Sequence, residues 1–205
     1  MKSASATTFD EAYYQRFYFD KKTSVVDPQH MERLGTFVCS YLKYLRVPVR
    51  RVLDVGCGIG LWKDIMAQHF PAASYQGVEF SPYLCERFGW QQGSVVDYAA
   101  SEPFDVIVND AFSGNRPLGP LKTDEGARVV HEHLAPGGVY LANVRCAVEG
   151  RKSRTLHEVI EAFGNEFAHV AYVPEWPDKP SEPGNNTFVA SDRQLRLPAA
   201  AVVVR

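Results

Sequence analysis

The sequence predicts an α/β fold in which a doubly wound, mostly parallel sheet carries helices on both faces. Apolar runs of strand length alternate with amphipathic stretches of helical length from residue 51 almost to the end of the 205-residue chain. Several of these runs are apolar throughout, which is typical of strands buried on both faces. Three glycines at alternate positions follow the first run, where such sheets bind their ligands.

Each element follows from hydrophobic spacing and from capping residues. The first long helix is predicted to begin with Asp27 as N-cap and Pro28 at its first position, and to end before Pro48. Ser81 and Thr123 are the expected N-caps of two later helices. Strands are predicted at Val52–Val55, Ser74–Phe80, Ser94–Asp97, Phe104–Asn109, Gly138–Val144, Phe167–Val173 and Thr187–Ala190. Helices are predicted at Leu61–Phe70, Pro82–Phe88, Asp124–Leu134 and Ser153–Phe163.

The first 48 residues differ in character from the rest of the chain. The stretch FDEAYYQRFYFDKK places six aromatic residues in a polar frame. We therefore expect residues 1–48 to form an N-terminal helical cap and residues 49–205 to form the ligand-binding domain. A helix docked on the core and a lid that moves over the site both fit this pattern.

Composition narrows the classes of partner. Lys and Arg total 22 against 24 Asp and Glu, and the basic residues form no stripe of the kind that binds nucleic acid. The N-terminus lacks the apolar core of a signal sequence, and the longest aliphatic run, at 199–204, is too short to span a bilayer. The four cysteines form no C-x-x-C pair. We expect a cytoplasmic protein with no nucleic-acid partner, no membrane partner and no metal site.

The glycine loop excludes two common ligand classes. A dinucleotide fingerprint would need a third glycine at position 61 or 63, where Leu61 and Lys63 stand. A phosphate-binding loop of the Gly-Lys-Ser/Thr type is also missing from this stretch. A carboxylate follows the second strand run at Glu79, 19 residues after Gly60 (79 − 60), close to the spacing of a ribose-binding acid in such folds.

The pattern Asp54-x-Gly56-x-Gly58-x-Gly60 resembles the first motif of class I S-adenosylmethionine-dependent methyltransferases, and the resemblance extends over roughly residues 50 to 190. It implies a Rossmann-like fold with S-adenosylmethionine as cofactor. The backbone from Gly56 through Cys57, Gly58 and Gly60 would then pass under the methionine and ribose portions, and Asp54 would face the methionine ammonium.

The same resemblance assigns the rest of the cofactor site. Glu79 would bind the ribose hydroxyls, and Phe80 would lie against the adenine ring. The segment GSVVDY supplies Asp97 for the adenine amino group. Tyr98 or Trp90 would complete the adenine pocket.

The end of the fourth strand, VIVNDAF, borders the transferable methyl group in this family. Asn109 and Asp110 are therefore the catalytic candidates, with Asn109 also counted as a cofactor contact and Asp110 as the base. A carboxylate that only caps the following loop is the alternative role for Asp110. Both prolines of the Asn/Asp-Pro-Pro-aromatic motif, found in methyltransferases of nucleic acids and protein amides, are missing. A small-molecule acceptor and in-line methyl transfer are expected.

Two other functions stay open at this point. FDVIVNDAFSG, LKTDEGARVVHEHLAPGG and GNNTFVASD resemble spermidine synthases, which makes an aminopropyltransferase-like enzyme the first alternative. A catalytically silent module that binds the cofactor is the second.

A basic rim is predicted on the ligand side of the sheet. Arg116 and Arg145 follow the fourth and fifth predicted strands, and Arg151, Lys152 and Arg154 lie in the next connection. This rim favours an acceptor with a negative group. Loop charges paired with neighbouring acids are the alternative.

Overall fold

A computed structural model describes residues 9–25, 27–94, 96, 98, 101–113, 116–117 and 119–204. Its main sheet has eight strands in the order β10-β8-β9-β7-β4-β1-β2-β3. The bounds are β1 Arg51–Val55, β2 Ser74–Glu79, β3 Gln91–Gln92, β4 Phe104–Asn109, β7 Leu134–Cys146, β8 His169–Val173, β9 Gly184–Ser191 and β10 Val202–Val203. Two further short strands, β5 Phe112–Ser113 and β6 Arg116–Pro117, pair only with each other.

Successive strands are added on one side of β1 first and then on its other side. It passes from β1 outward to β2 and β3, then returns to place β4 and β7 on the other side of β1. All pairs among these five strands are parallel. The carboxyl ends of β1 and β4 therefore flank a switch point, which is where open α/β sheets bind ligands. The predicted doubly wound, mostly parallel sheet is confirmed.

The far side of the sheet is antiparallel, which the sequence analysis did not foresee. β9 runs antiparallel to both β7 and β8, and β10 runs antiparallel to β8. The loop 174–183 between β8 and β9 is too short to contain a crossover helix, so the two strands form a hairpin.

Helices cover both faces of the sheet. The helical bounds are α1 Glu11–Tyr14, α2 Pro28–Tyr44, α3 Leu61–His69, α4 Pro82–Phe88, α5 Asp124–His133 and α6 Arg154–Glu166, with a π-helical turn at Gln15–Phe19 and 3-10 turns at Gly119–Lys122 and Gly150–Ser153. Side chains of α2 and α3 form one buried cluster with the sheet, and side chains of α5 and α6 form the other. Asp27 and Thr123 accept the capping hydrogen bonds that the sequence predicts, from Gln29 N at 3.0 Å and from Gly126 N at 3.1 Å.

Three details differ from the sequence-based predictions. A short strand that was not predicted lies at Gln91–Gln92, where its backbone pairs with Val78 and Glu79. The strand expected at Ser94–Asp97 falls partly on Val95 and Asp97, which lie outside the described residues. The Ser81 hydroxyl does not cap α4 but donates to the carbonyl of Phe9 at 2.7 Å. Helix α2 packs into the main core, where Cys39 and Leu42 are buried. Of the expected N-terminal cap, α2 belongs to this core, whereas residues 9–25 lie outside it.

We expect Asp105→Ala to destabilise the fold without weakening cofactor binding. The buried Asp105 carboxylate accepts hydrogen bonds from Arg50 N at 2.8 Å and Arg51 N at 2.9 Å, which ties the amino ends of β1 and β4 together. Hydrogen bonds to a charged group contribute about 1.5–3 kcal/mol each, so urea unfolding should show a loss of about 3 kcal/mol. Glu102→Ala is the control, because its ion pair with Arg51 lies at the surface and contributes little. Equal effects of both variants would contradict this assignment.

Candidate active site

The three glycines of the loop after β1 lack side chains for two different reasons. Gly56, Gly58 and Gly60 all have positive φ angles, of 72°, 53° and 83°. A side-chain carbon at Gly56 would lie 2.6 Å from the Cβ of Ala111, and one at Gly60 would lie 2.8 Å from the Trp90 ring. A side-chain carbon at Gly58 would meet nothing closer than 3.8 Å among the described residues. The protein itself therefore requires two of the glycines, and Gly58 is the one that leaves space for a ligand.

Asp54 lies beneath this loop as a buried carboxylate. One oxygen, Oδ2, accepts a hydrogen bond from the hydroxyl of Tyr75. The other, Oδ1, is buried and has no hydrogen-bond partner among the described residues. Burial raises the pKa of Asp54 to about 7, the Tyr75 hydrogen bond opposes this shift, and the charges of Asp110 and Glu79 add to it. Such a group favours a ligand that brings a hydrogen-bond donor and a positive charge.

Glu79 ends β2 and joins it to the glycine loop. Its Oε2 accepts a hydrogen bond from Gly58 N at 2.9 Å, and its Oε1 accepts bonds from Phe80 N and Ser81 N, each at 2.9 Å. The carboxylate is therefore held in one place beside the open glycine. The neighbouring Phe80 side chain is 74% exposed, which excludes a role in core packing.

The structure does not bring every predicted cofactor residue to this place. The Tyr98 ring packs against Phe104, which begins β4 at the opposite edge of the sheet, and against His133. The Cys57 side chain is buried, with its sulfur against Gly77 of β2, so it can contribute only backbone atoms to a ligand site. Asp97 lies outside the described residues. Trp90 packs against the glycine loop, with its ring edge at Gly60.

Asn109 and Asp110 at the end of β4 have different environments. Asn109 is fully buried, donates to the Tyr140 hydroxyl at 2.8 Å and accepts from Ala111 N at 3.0 Å. Its side chain is therefore a structural link between β4 and β7, and its contact with the cofactor stays a prediction. Asp110 is partly exposed, and its Oδ1 accepts a hydrogen bond from Asn143 Nδ2 at 3.0 Å. Burial raises the pKa of Asp110 to about 6, and the Asn143 bond opposes the shift.

The aromatic N-terminal segment packs against α4, the helix that follows Glu79. Tyr14 is buried and stacks on Tyr83 of α4 with a centroid distance of 6.1 Å. Burial raises the pKa of Tyr18 to about 12, and Tyr13, Asp110 and Glu79 add to the effect.

The predicted basic rim is present only in part. Arg145, Arg151 and Lys152 are exposed, whereas Arg154 forms an ion pair with Glu158 at 2.8 Å. Arg116 lies in β6, and its side chain is outside the described atoms.

Sequence reasoning did not identify Tyr75 and Asn143 as parts of the site. Tyr75 is the second residue of β2 and reaches Asp54 on the neighbouring strand. Asn143 reaches Asp110 from β7. A polar residue inside an otherwise apolar strand, as in YLANV, is the signal that could have drawn attention to Asn143.

The geometry and the comparison with known families agree. A family model described as a methyltransferase domain matches residues 30–175, well over half of the chain. The chain therefore belongs to the family of S-adenosylmethionine-dependent methyltransferases of class I. S-adenosylmethionine is accordingly its cofactor.

Several known proteins are similar to this chain. The trans-aconitate 2-methyltransferase of Deinococcus radiodurans is 30% identical over 128 residues, which cover 58% of this chain and 46% of that relative. A probable spermidine synthase from Corynebacterium glutamicum has a TM-score of 0.65 at 20% identity, covering 82% of this chain and 65% of that one. The S-adenosylmethionine-bound amino pentose methyltransferase CalS10 from Micromonospora echinaspora has a TM-score of 0.59 at 20% identity, covering 80% and 92%. The chain spans about half or less of the length of its curated relatives.

The residues present fit this cofactor. Its sulfonium and ammonium groups are positive, and the unpartnered Oδ1 of Asp54 is a buried acceptor for such a charge. Gly58 leaves room for close approach of a ligand, and Glu79 offers a fixed carboxylate to hydroxyl groups.

The described residues include no group of three or more His, Cys, Asp and Glu side chains arranged to hold a metal ion. Nor do these residues include a helix long and apolar enough to cross a membrane.

We expect the affinity for S-adenosylmethionine to rise with pH up to about 7, because the positive cofactor favours the ionised form of Asp54. In the cofactor-free protein the sign is opposite: the raised pKa stabilises the fold below about pH 4, and this contribution is lost as the pH rises through about 7. Calorimetry at pH 5.5–8.5 in two buffers of different ionisation enthalpy should detect proton release below pH 7. Asp54→Asn controls for titration of the cofactor's own amino group and should remove this component. A component that persists in Asp54→Asn would exclude Asp54 as its source.

Proposed function

We propose that this protein transfers a methyl group from S-adenosylmethionine to a small-molecule acceptor, with Asp110 accepting the proton that the acceptor loses. The observation that carries the proposal is the position of Asp110. Ala111 packs against Gly56, and Asp110 N lies 3.4 Å from the Val55 carbonyl, so the partly exposed carboxylate is adjacent to the cofactor loop. The similar protein named for trans-aconitate supports a small-molecule acceptor.

The protein's own groups account for binding and proton transfer. Asp54 and Glu79 would orient the cofactor, which supplies an electrophilic methyl group on a positive sulfur. Asn143 holds the Asp110 carboxylate by one hydrogen bond and leaves its second oxygen free of described partners. Positioning and alignment can supply most of the rate enhancement in such a displacement, so Asp110 is needed only when the acceptor atom carries a proton.

The side chains around Asp110 also bear on the charge of the acceptor. The exposed Arg145 lies on β7 two residues beyond Asn143 and supports our hypothesis of an acceptor with a negative group. A carboxylate also lies near Asn143. Glu175 accepts hydrogen bonds from Asn185, and the Asn185 side chain is 3.5 Å from that of Asn143. An acceptor that carries both an amine and an acid would suit both kinds of side chain.

Aminopropyl transfer is the second candidate. The structural similarity to a probable spermidine synthase favours it, although at 20% identity this similarity shows the fold alone. Calorimetric titration with S-adenosylmethionine and with its decarboxylated form separates the two candidates, since preference for the decarboxylated form would favour aminopropyl transfer.

Asp110→Asn should lower kcat by a factor of about 100 to 10,000 for acceptors that lose a proton, while the Kd for S-adenosylmethionine stays within a few-fold of wild type. In the wild type, kcat should rise with pH through about 6 and then level off, as Asp110 becomes ionised. Release of S-adenosylhomocysteine measures both effects. Asp178→Asn, at an exposed loop carboxylate, is the control. A flat profile together with an unchanged kcat in Asp110→Asn would remove this base from the mechanism.

Arg145→Ala tests the hypothesis of an anionic acceptor. A panel of small acids, phenols, amines and amino acids should show turnover chiefly of compounds with a negative group, and Arg145→Ala should lower their kcat/KM by about tenfold, corresponding to one charged hydrogen bond. Arg128→Ala, at an arginine paired with Glu132 on α5, controls for a lost surface charge. If only neutral or cationic compounds react, the anionic acceptor is wrong and methyl transfer still stands.

A further inference from the structure

Trp90 contacts two of the three glycines of the cofactor loop, Gly58 and Gly60. Its ring fills the space that a side chain at Gly60 would need, and it also lies 2.7 Å from where a side-chain carbon at Gly77 of β2 would be. The indole Nε1 donates a hydrogen bond to the Gly58 carbonyl at 2.9 Å. One side chain, 32 residues away along the chain, thus supports both the packing and the polar groups of the loop.

The two polar groups of Gly58 are held by different side chains. Its N–H donates to Glu79 Oε2 at 2.9 Å, and its carbonyl accepts from Trp90 at 2.9 Å. Glycine in the left-handed region has no side chain to restrict it, and glycines stand two residues away on each side. Without these two bonds the loop would lose more conformational entropy when a ligand orders it.

Trp90 is itself held firmly. Gly89, with φ 72°, caps the end of α4, and the two residues after Trp90 form β3, which pairs with the end of β2. The Trp90 ring stacks on Phe88 with a centroid distance of 6.0 Å, and the Lys63 ammonium lies 5.1 Å from its ring centre. These contacts hold the ring in place and so fix the direction of the indole N–H.

We propose that Trp90 is a positioning residue for S-adenosylmethionine: its indole N–H fixes the Gly58 peptide so that the open side of this glycine and the Glu79 carboxylate are ready for the cofactor. Trp90 acts through Gly58 and touches no reacting atom. The inference rests on the same cofactor site as the proposed methyl transfer. Pre-organisation of this kind raises affinity by lowering the cost of ordering the loop.

Trp90→Phe is the decisive variant, because it keeps an aromatic ring against Gly60 and Gly77 and removes the N–H donor. We expect the Kd for S-adenosylmethionine to rise about tenfold, as for the loss of one hydrogen bond. KM for S-adenosylmethionine should rise by the same factor, while kcat at saturating cofactor stays near that of wild type.

Trp62→Phe is the matched control. Trp62 lies on α3 directly after the loop and is also buried, but its indole nitrogen has no hydrogen-bond partner among the described residues. The variant loses the same ring volume without losing a bond, so its Kd should stay within about twofold of wild type. Equal weakening in both variants would show a packing effect only and would overturn the proposal.

A measurement on the wild type covers the case in which Trp90→Phe does not fold. The indole N–H of Trp90 should exchange slowly with solvent in the cofactor-free protein, as detected by nuclear magnetic resonance with ¹⁵N-labelled tryptophan. Fast exchange would overturn the proposal. Wild-type protein that fails to bind S-adenosylmethionine would refute the proposed function, whereas normal binding by both wild type and Trp90→Phe would refute only the role of Trp90.

Discussion

The hydrogen bond from Gly58 N to the Glu79 carboxylate joins the two parts of the cofactor site. Without it, the loop after β1 and the acid after β2 would be independent features at two strand ends. The parallel pairing of β1 with β2 brings Val55 opposite Val78, so the segments that follow these two strands are adjacent. Two more backbone N–H groups, of Phe80 and Ser81, complete the set that fixes the carboxylate. The register of β1 and β2 thus determines the shape of the site.

Electrostatics gives the site its preference for a positive ligand. Asp54 and Asp110 each have a pKa raised by burial, and none of the described ion pairs includes Asp54, Asp110 or Glu79. Burying a carboxylate without a compensating cation is unfavourable, and a bound cation removes that cost. S-adenosylmethionine carries such charges, so the same burial that is unfavourable in the cofactor-free protein favours binding of this cofactor. Asp110 is partly exposed, and a raised pKa suits the base that we propose it to be.

Local sequence signals predicted most of the fold. Asp27 with Pro28 and Thr123 with Gly126 act within one helical turn, so the chain itself shows where α2 and α5 begin. The antiparallel half depends on pairing between β7 and β9, about 40 residues apart along the chain, which no short window reveals. The strand at Gln91–Gln92 could not be predicted, because it has no alternation of apolar and polar residues and forms only by pairing with the end of β2.

Part of the candidate site could be proposed from the sequence: Glu79 from its place at a strand end and its spacing after the glycine loop, and Asp54 and Asp110 from the resemblance to a family. Their roles stay predictions. The structural role of Asn109 could not be predicted, because its partner Tyr140 lies on β7. The role of Trp90 could not be predicted either, because its contact with Gly58 depends on the complete packing of α3, α4 and β2. Such partners are set by tertiary structure, and a single sequence does not contain them in readable form.

The aromatic N-terminal segment is docked beside the turn after β2, because Phe9 accepts a hydrogen bond from Ser81 and Tyr14 stacks on Tyr83. A lid that moves over the site stays a prediction. The anchor of the N-terminal segment, Ser81, donates its own N–H to Glu79 and so helps to fix this carboxylate. The same short turn after β2 therefore holds the Glu79 carboxylate with its backbone and the N-terminal segment with its side chain.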